Sequence, residues 1–291
     1  MNALFSAGSD PGGHGLTAAL YELGLLVSDL GRSVDFYERA FGYRFAPDGE
    51  AMLGVGPRRR LRLVPSPDGR LGPSHVGFAV TDESQLDTLG ERLAVAGVAH
   101  RAIDRVGYRP GALAFADPDG NAMIFGLADA ADIAPGPDAL PGHLQHAVFS
   151  STDIEAMLSF YRDVVGFGLS DAVVNDEGLL TTFFAHCSQE HHSLAVFRAG
   201  QNRFDHHCYE AGDWGLIRDW GDRFASLHIP IKWGPGRHGP GNNLFLFIHD
   251  PDDYWLEISA ELELLEPGRT VGVWPHAERT LNSWGIAYLR K

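Results

Sequence analysis

The sequence predicts an α+β fold of four βαβββ modules, two in each half of the chain. Three observations predict it. The chain repeats itself, the repeated stretches order strand-like and helical apolar runs in the same way, and an Ala-, Asp- and Pro-rich stretch separates the copies.

Leu23 to Asp29 precedes Val34-Asp35-Phe36-Tyr37 and Phe41-Gly42-Tyr43, while Ala147 to Asp153 precedes Leu158-Ser159-Phe160-Tyr161 and Val165-Gly166-Phe167. Asp29 and Asp153, Phe36 and Phe160, Tyr37 and Tyr161, and Gly42 and Gly166 each stand 124 apart. Asp117-Pro118-Asp119 matches Asp250-Pro251-Asp252 at an offset of 133, so the second copy carries one longer loop.

Each copy opens with a strand that ends at an Asp able to cap a helix, Asp29 or Asp153. Met157, Phe160, Tyr161 and Val164 then recur at helical spacing, and a Gly ends the helix, Gly42 or Gly166. Strand-like runs follow, at Leu179 to Ala185 and Ser193 to Phe197 in the second copy. A second strand–helix unit opens at His75 and its counterpart near His207; the helix in the first copy spans roughly Ser84 to Ala96. Leu244 to Ile248 and Tyr254 to Ser259 are the last strands. The expected map is a flexible N-terminus over 1–15, a first domain over 16–129, a linker over 130–142, and a second domain over 143–291 that includes a C-terminal tail.

Bulk properties narrow the function classes. A hydrophobic content of 44% and a charged content of 21% suit a water-soluble globular chain. The formal charge of −15 argues against nucleic acid and anionic membrane as partners. With only Cys187 and Cys208 there is neither a disulfide framework nor a cysteine zinc site, and both thiols lie in apolar runs that bury them. No signal peptide and no membrane span are expected, so a cytoplasmic protein is the default.

Chemistry concentrates in the second copy. His146 lies in the run Leu144 to Phe149, His207 in Asp205 to Tyr209, and Glu257 in Tyr254 to Ile258. Two imidazoles and a carboxylate can occupy one face of an octahedral Fe(II) and leave three positions open for substrate and dioxygen. Glu257 stands on the strand face of Trp255 and Ser259, opposite Tyr254, Leu256 and Ile258; a carboxylate in so apolar a strand needs a partner or a metal. His206 and His207 face opposite sides of their strand, and spacing alone does not choose between them. His191 and His192 pose the same question. His14, His143, His186, His228 and His249 are assigned no role.

This order of elements, with Leu144-Gln145-His146, His191-His192-Ser193-Leu194-Ala195, His206-His207, Gly236 to Asn243, and Asp250-Pro251-Asp252 before Leu256-Glu257, resembles the vicinal oxygen chelate superfamily. Within it, the chain is similar to the two-domain type I extradiol ring-cleavage dioxygenases, the dihydroxybiphenyl and catechol 2,3-dioxygenase group. The resemblance covers about Leu20 to Gly285. It implies paired modules curled into two cup-like, incomplete-barrel domains, only one of which keeps the metal. It selects His207 as the second ligand beside His146 and Glu257, with Cys208 pointing away, and His192 as the acid–base group, which leaves His191 as a solvated loop residue. His238 would hydrogen-bond substrate or an intermediate. Asn243, Phe247 and Trp255 are the expected substrate-binding residues, and the tail with Trp274, Asn282 and Trp284 would fold over the cup mouth. In the first copy Glu22 stands where His146 stands, Ile124 where Glu257 stands, and His75 opposite His207, so that copy is expected to be metal-free. The chain departs from the pattern at Phe247, where the family often has a Tyr.

The resemblance implies extradiol cleavage of a catechol-type diol by Fe(II), or Mn(II), and O2, in a homo-oligomer serving aromatic catabolism. Two rivals share the cup: a glyoxalase-like isomerase or thiol transferase that needs no dioxygen, and a metal-free drug-sequestering protein.

Overall fold

The computed structural model describes residues 15–129 and 139–287. Residues 1–14 of the expected flexible N-terminus and residues 130–138 of the expected linker lie outside them. The first half contains β1 (Ala18–Val27), α1 (Leu30–Phe41), β2 (Arg44–Asp48), β3 (Ala51–Gly56) and β4 (Arg59–Pro65), then β5 (Gly72–Val80), α2 (Glu83–Val95), β6 (His100–Ile103), β7 (Ala112–Ala116) and β8 (Ala122–Leu127). The second half repeats this with β9 (His143–Ser151), α3 (Ile154–Ser159), β10 (Gly168–Val174), β11 (Leu180–His186) and β12 (Leu194–Arg198), then β13 (Arg203–Gly212), α4 (Trp214–Ser226), β14 (Trp233–Arg237), β15 (Leu244–His249) and β16 (Trp255–Ala260). A tail adds β17 (Gly272–Pro275) and α5 (Glu278–Leu281). These are the four βαβββ modules.

Each half forms one open sheet. The first runs β2-β3-β4-β1-β5-β8-β7-β6, and the second β14-β15-β16-β13-β9-β12-β11-β10-β17. In both, the opening strands of the two modules lie at the centre as an antiparallel pair, β1 with β5 and β9 with β13. Four Asp side chains start the module helices: Asp29, Asp82, Asp153 and Asp213 accept from the backbone N–H of Arg32, Gln85, Ala156 and Leu216. Gly42 closes α1 at φ 69°, in the left-handed region where glycine carries no side-chain penalty. One departure is local: after α3 the chain continues as a π-helix, Phe160–Val165, before Gly166 ends it.

The helices of the two halves meet in a shared core. Phe41 of α1 packs against Tyr209, Trp220 and Phe224 of the second half. The repeat also produces a reciprocal exchange. Tyr37 donates its hydroxyl to Asp250 Oδ2 at 3.0 Å, and Tyr161 donates to Asp117 Oδ2 at 2.9 Å. Each half thus caps a turn of the other.

Register fixes the site and corrects one alignment. Cys208 pairs with His146 on β9 and with Glu257 on β16, and His206 pairs with Val148. In the first sheet Gly77 pairs with Glu22 and with Ile124, and His75 pairs with Gly24. Gly24 and Val148 are 124 apart, so His75 corresponds to His206, not to His207. Where the second sheet gathers metal-type donors, the first puts Glu22 Oε1 within 2.7 Å of His75 Nε2, 3.0 Å of Arg105 Nε and 3.2 Å of Arg62 Nε. Two guanidinium groups stand where a cation would have to sit.

Candidate metal centre and cavity

His146, His206 and Glu257 bring one ligand atom each to a common point. His146 Nε2 lies 3.2 Å from Glu257 Oε2, His206 Nε2 lies 3.3 Å from the same oxygen, and the two imidazole nitrogens are 3.4 Å apart. Three donors about 3 Å apart are the edges of one octahedral face at metal–ligand distances near 2.1 Å. His206 takes the place expected for His207. His207 lies on the opposite face, fully buried, its ring stacked on Phe204 at 6.2 Å and edge-on to Tyr209 at 5.4 Å. Both of its ring nitrogens are without a hydrogen bond, and burial pushes its pKa down to about 3, so the ring is neutral.

Cys208 is corrected with it. Paired directly with His146 and Glu257, it shares their side of the sheet rather than pointing away, and burial holds its thiol well above the ordinary range. A signal for His206 is present in the sequence: His75 precedes the cap Asp82 by seven residues, and His206 precedes the cap Asp213 by seven. Counting back from the caps selects the outer of the two histidines.

Each donor is aimed by a neighbour. The Oε1 of Gln145 accepts from His146 Nδ1, and Asp205 Oδ1 accepts from His206 Nδ1 at 2.6 Å. Both rings therefore present a bare Nε2, the form that binds a metal. Asn243 donates Nδ2–H to Glu257 Oε1 at 3.1 Å and to Ser259 Oγ at 2.9 Å, which leaves Oε2 facing the histidines. Burial alone would raise the Glu257 pKa, but the His146, His206 and His238 rings that close on the carboxylate outweigh it and hold the carboxyl well below its usual range. Burial lowers His146, keeping it neutral. Gln145 and Asp205 escaped the sequence reading, because their role appears only once the ligand beside each is known.

A cavity opens above this triangle. His192, His238, Asn243 and Phe247 line it, together with Val148, Phe184 and Trp233. His192 stands beside His146, ring centroids 4.4 Å apart, and burial holds its pKa well below the usual value. His238 donates from Nδ1 to the carbonyl of Leu281, stacks on Phe245 at 4.0 Å, and sets Nε2 3.5 Å from Glu257 Oε1. Phe247 is in the wall, edge-on to His206 at 5.1 Å. Trp255 is not among the lining residues; it shares the face of Glu257 but lies two positions back along the strand, where it meets Phe247 at 5.8 Å and His249 at 4.2 Å. Asn243 reaches the cavity but spends its amide N–H groups on Glu257 and Ser259.

The tail reaches the cavity through His276, Ala277, Thr280 and Leu281. Trp274, Asn282 and Trp284 fasten it instead: Trp274 Nε1 donates to Asp171 Oδ2 at 2.7 Å, Asn282 Oδ1 accepts from Arg237 N at 3.4 Å, and Trp284 lies beneath the Arg237 guanidinium at 5.4 Å. His191, expected in solvent, is completely buried. Among the described residues, no helix is long and apolar enough to cross a membrane.

Comparison with known proteins bears on the family and the fold. The family model of the glyoxalase/bleomycin resistance protein/dioxygenase superfamily matches residues 19–125 and 143–258. The chain is 31% identical over 255 residues to an iron-dependent extradiol dioxygenase of Rhodococcus jostii, covering 75% of this chain and 81% of that protein. It is 28% identical over 150 residues to metapyrocatechase 2 of Cupriavidus necator, a match that takes in 50% of this chain and 45% of the relative. Among solved structures, homoprotocatechuate 2,3-dioxygenase from Brevibacterium fuscum, in complex with 3,4-dihydroxyphenylacetate, superposes with a TM-score of 0.80 at 21% identity, over 96% of this chain and 91% of the other. A Mn(II)-bound glyoxalase from Novosphingobium aromaticivorans gives 0.80 at 23%, over 93% and 91%. These structural likenesses speak for the fold.

Proposed function

The chain belongs to the glyoxalase/bleomycin resistance protein/dioxygenase superfamily, and from that premise we propose that it opens the ring of a catechol-type diol by extradiol cleavage with both atoms of O2. One observation carries the reading. Three donor atoms lie 3.2, 3.3 and 3.4 Å apart, each held by its own neighbour, at the floor of a cavity with aromatic walls. Fe(II) bound there would supply open positions for a diolate and dioxygen side by side. One carboxylate and two neutral imidazoles leave such a dication one positive charge, which favours an anionic chelate.

The chain's own groups do the rest. Val148, Phe184, Trp233 and Phe247 offer apolar surface to a ring and keep water out. A neutral His192 can accept the second diol proton and stabilise charge developing beside it. His238, fixed through Nδ1, would present Nε2 near Glu257 as a hydrogen-bonding partner for substrate. Phe247 offers no phenol, so hydrogen bonding to the substrate falls to the two histidines.

The test is anaerobic reconstitution with Fe(II), then a panel of catechols with an oxygen electrode. Stoichiometric oxygen uptake and a yellow ring-opened product are expected. Iron bound without oxygen uptake for any diol would overturn the reading and favour an isomerase using the same ligands.

A further inference from the structure

His191 is a fully buried imidazole that the reaction as described does not use. It sits between two features of known role. On one side its Nδ1 lies 3.0 Å from Nδ1 of His192, which lines the cavity. On the other its Nε2 lies 3.1 Å from Asp171 Oδ2, off the ideal hydrogen-bond line but closer than Glu263 Oε2 at 3.9 Å. Phe184 at 5.8 Å and Gly241 confine the ring; a Cβ at Gly241 would come within 3.1 Å of His191 Nδ1.

Asp171 is equally buried and equally committed. Its carboxylate accepts from Arg269 NH2 at 2.9 Å, from Gly272 N at 3.1 Å and from Trp274 Nε1 at 2.7 Å. Those donors belong to the tail just before His276–Leu281, the stretch that walls the cavity. One carboxylate therefore anchors both a cavity wall and the ring behind His192.

Resting on the ring-cleavage reading, we propose that His191 and Asp171 are positioning residues that hold the His192 ring in one tautomer and one orientation toward the cavity. Two ring nitrogens 3.0 Å apart share one hydrogen, so one is bare and the other protonated. The carboxylate of Asp171, 3.1 Å from Nε2, favours the tautomer of His191 with its hydrogen on Nε2 and a bare Nδ1. His192 must then donate from Nδ1, and its Nε2 is left bare for a ligand.

The test uses His191→Phe and His191→Gln, read in two ways. In zinc-exchanged protein, nitrogen-edited spectra of the histidine rings report which His192 nitrogen carries hydrogen. Wild type should show a persistent His192 Nδ1–H, His191→Phe should lose it, and His191→Gln, whose amide oxygen can accept, should recover it. In iron-loaded protein His191→Phe should keep its metal, hold KM within about twofold, and lose about tenfold or more in kcat, part of which His191→Gln restores. A His192 Nδ1–H that persists in His191→Phe, or a glutamine variant no better than phenylalanine, overturns the proposal. If His191→Phe fails to fold, Asp171→Asn is read by the same signal, and an unchanged Nδ1–H there overturns it too. A wild type with the fixed tautomer but inert to catechols would support the positioning role and remove the ring-cleavage reading.

Discussion

His206 and His207 differ by one position and face opposite worlds. His206 shares the polar side with Cys208 and Glu257, while His207 is pressed among Phe204 and Tyr209. Alternation along a strand was legible in the sequence; the starting parity was not. The β13–β9 ladder shifts register between Phe204 and His206, so residues upstream give no dependable phase. The two substitutions should therefore part company. His206→Ala should abolish stoichiometric iron binding, as removal of one of three ligands must. His207→Leu should leave iron content intact and leave thermal stability unchanged or raised, because it replaces a ring whose two buried nitrogens lack hydrogen bonds with an apolar side chain. Metal analysis and a melting curve decide it, and iron loss in His207→Leu would reverse the assignment. The other two candidate ligands stand out in the sequence for a different reason. Glu257 betrays itself as a carboxylate in an apolar strand, and His146 by the Glu that replaces it in the first copy.

At the scale of elements, the module order was legible because its punctuation is chemical: Asp at helix starts, Gly closing the first helix of each copy, and a 124-residue offset between the opening strand and helix of the two copies. The π-helix at Phe160–Val165 was not, since Met157, Phe160, Tyr161 and Val164 read as an ordinary helical stripe. The two central strand pairs, nearly the same in sequence logic, diverge at one residue. β1 has Gly24 where β9 has Val148. A Cβ on Gly24 would lie 2.2 Å from the His75 ring and 2.3 Å from Ser74 Oγ, so glycine is what lets His75 lie across β1 and reach Glu22. In the second half Val148 fills that space, and its partner His206 turns to the cavity. Gly24→Val should displace His75 from Glu22 and lower stability by about 1–3 kcal/mol through overpacking. Chemical denaturation of the metal-stripped protein measures it. A midpoint equal to that of wild type would show that His75 has another position of equal energy.

The whole molecule is held by contacts that cross the repeat, and these carry a pH signature. Tyr37 reaches Asp250 and Tyr161 reaches Asp117, each carboxyl lying in the half opposite its tyrosine. Burial pushes Asp250 up to about 7 and raises Asp117, despite hydrogen bonds that pull the other way. A group whose folded pKa exceeds its unfolded value stabilises fully below the unfolded value and loses that contribution as pH rises through the folded one. Asp250 therefore costs stability as pH climbs from the ordinary carboxyl value to about 7, and the cost levels off above that. Glu22 works at the other end. Burial alone would raise it, but His75, Arg62 and Arg105 bring it to about 2, so its contribution is present above the ordinary carboxyl value and fades as pH falls toward 2. Asp250→Asn separates the two limbs. An asparagine keeps an oxygen for the backbone N–H groups of Asp252 and Tyr254 and cannot ionise. On metal-stripped protein, so that ligand protonation does not intrude, its melting temperature should fall less than that of wild type between about pH 4 and 7. Below about pH 4 the two should run parallel, because Glu22 is untouched there. Equal slopes between about pH 4 and 7 would mean that Asp250 ionises without cost in the folded state, and that the interlock between the halves does not depend on its proton.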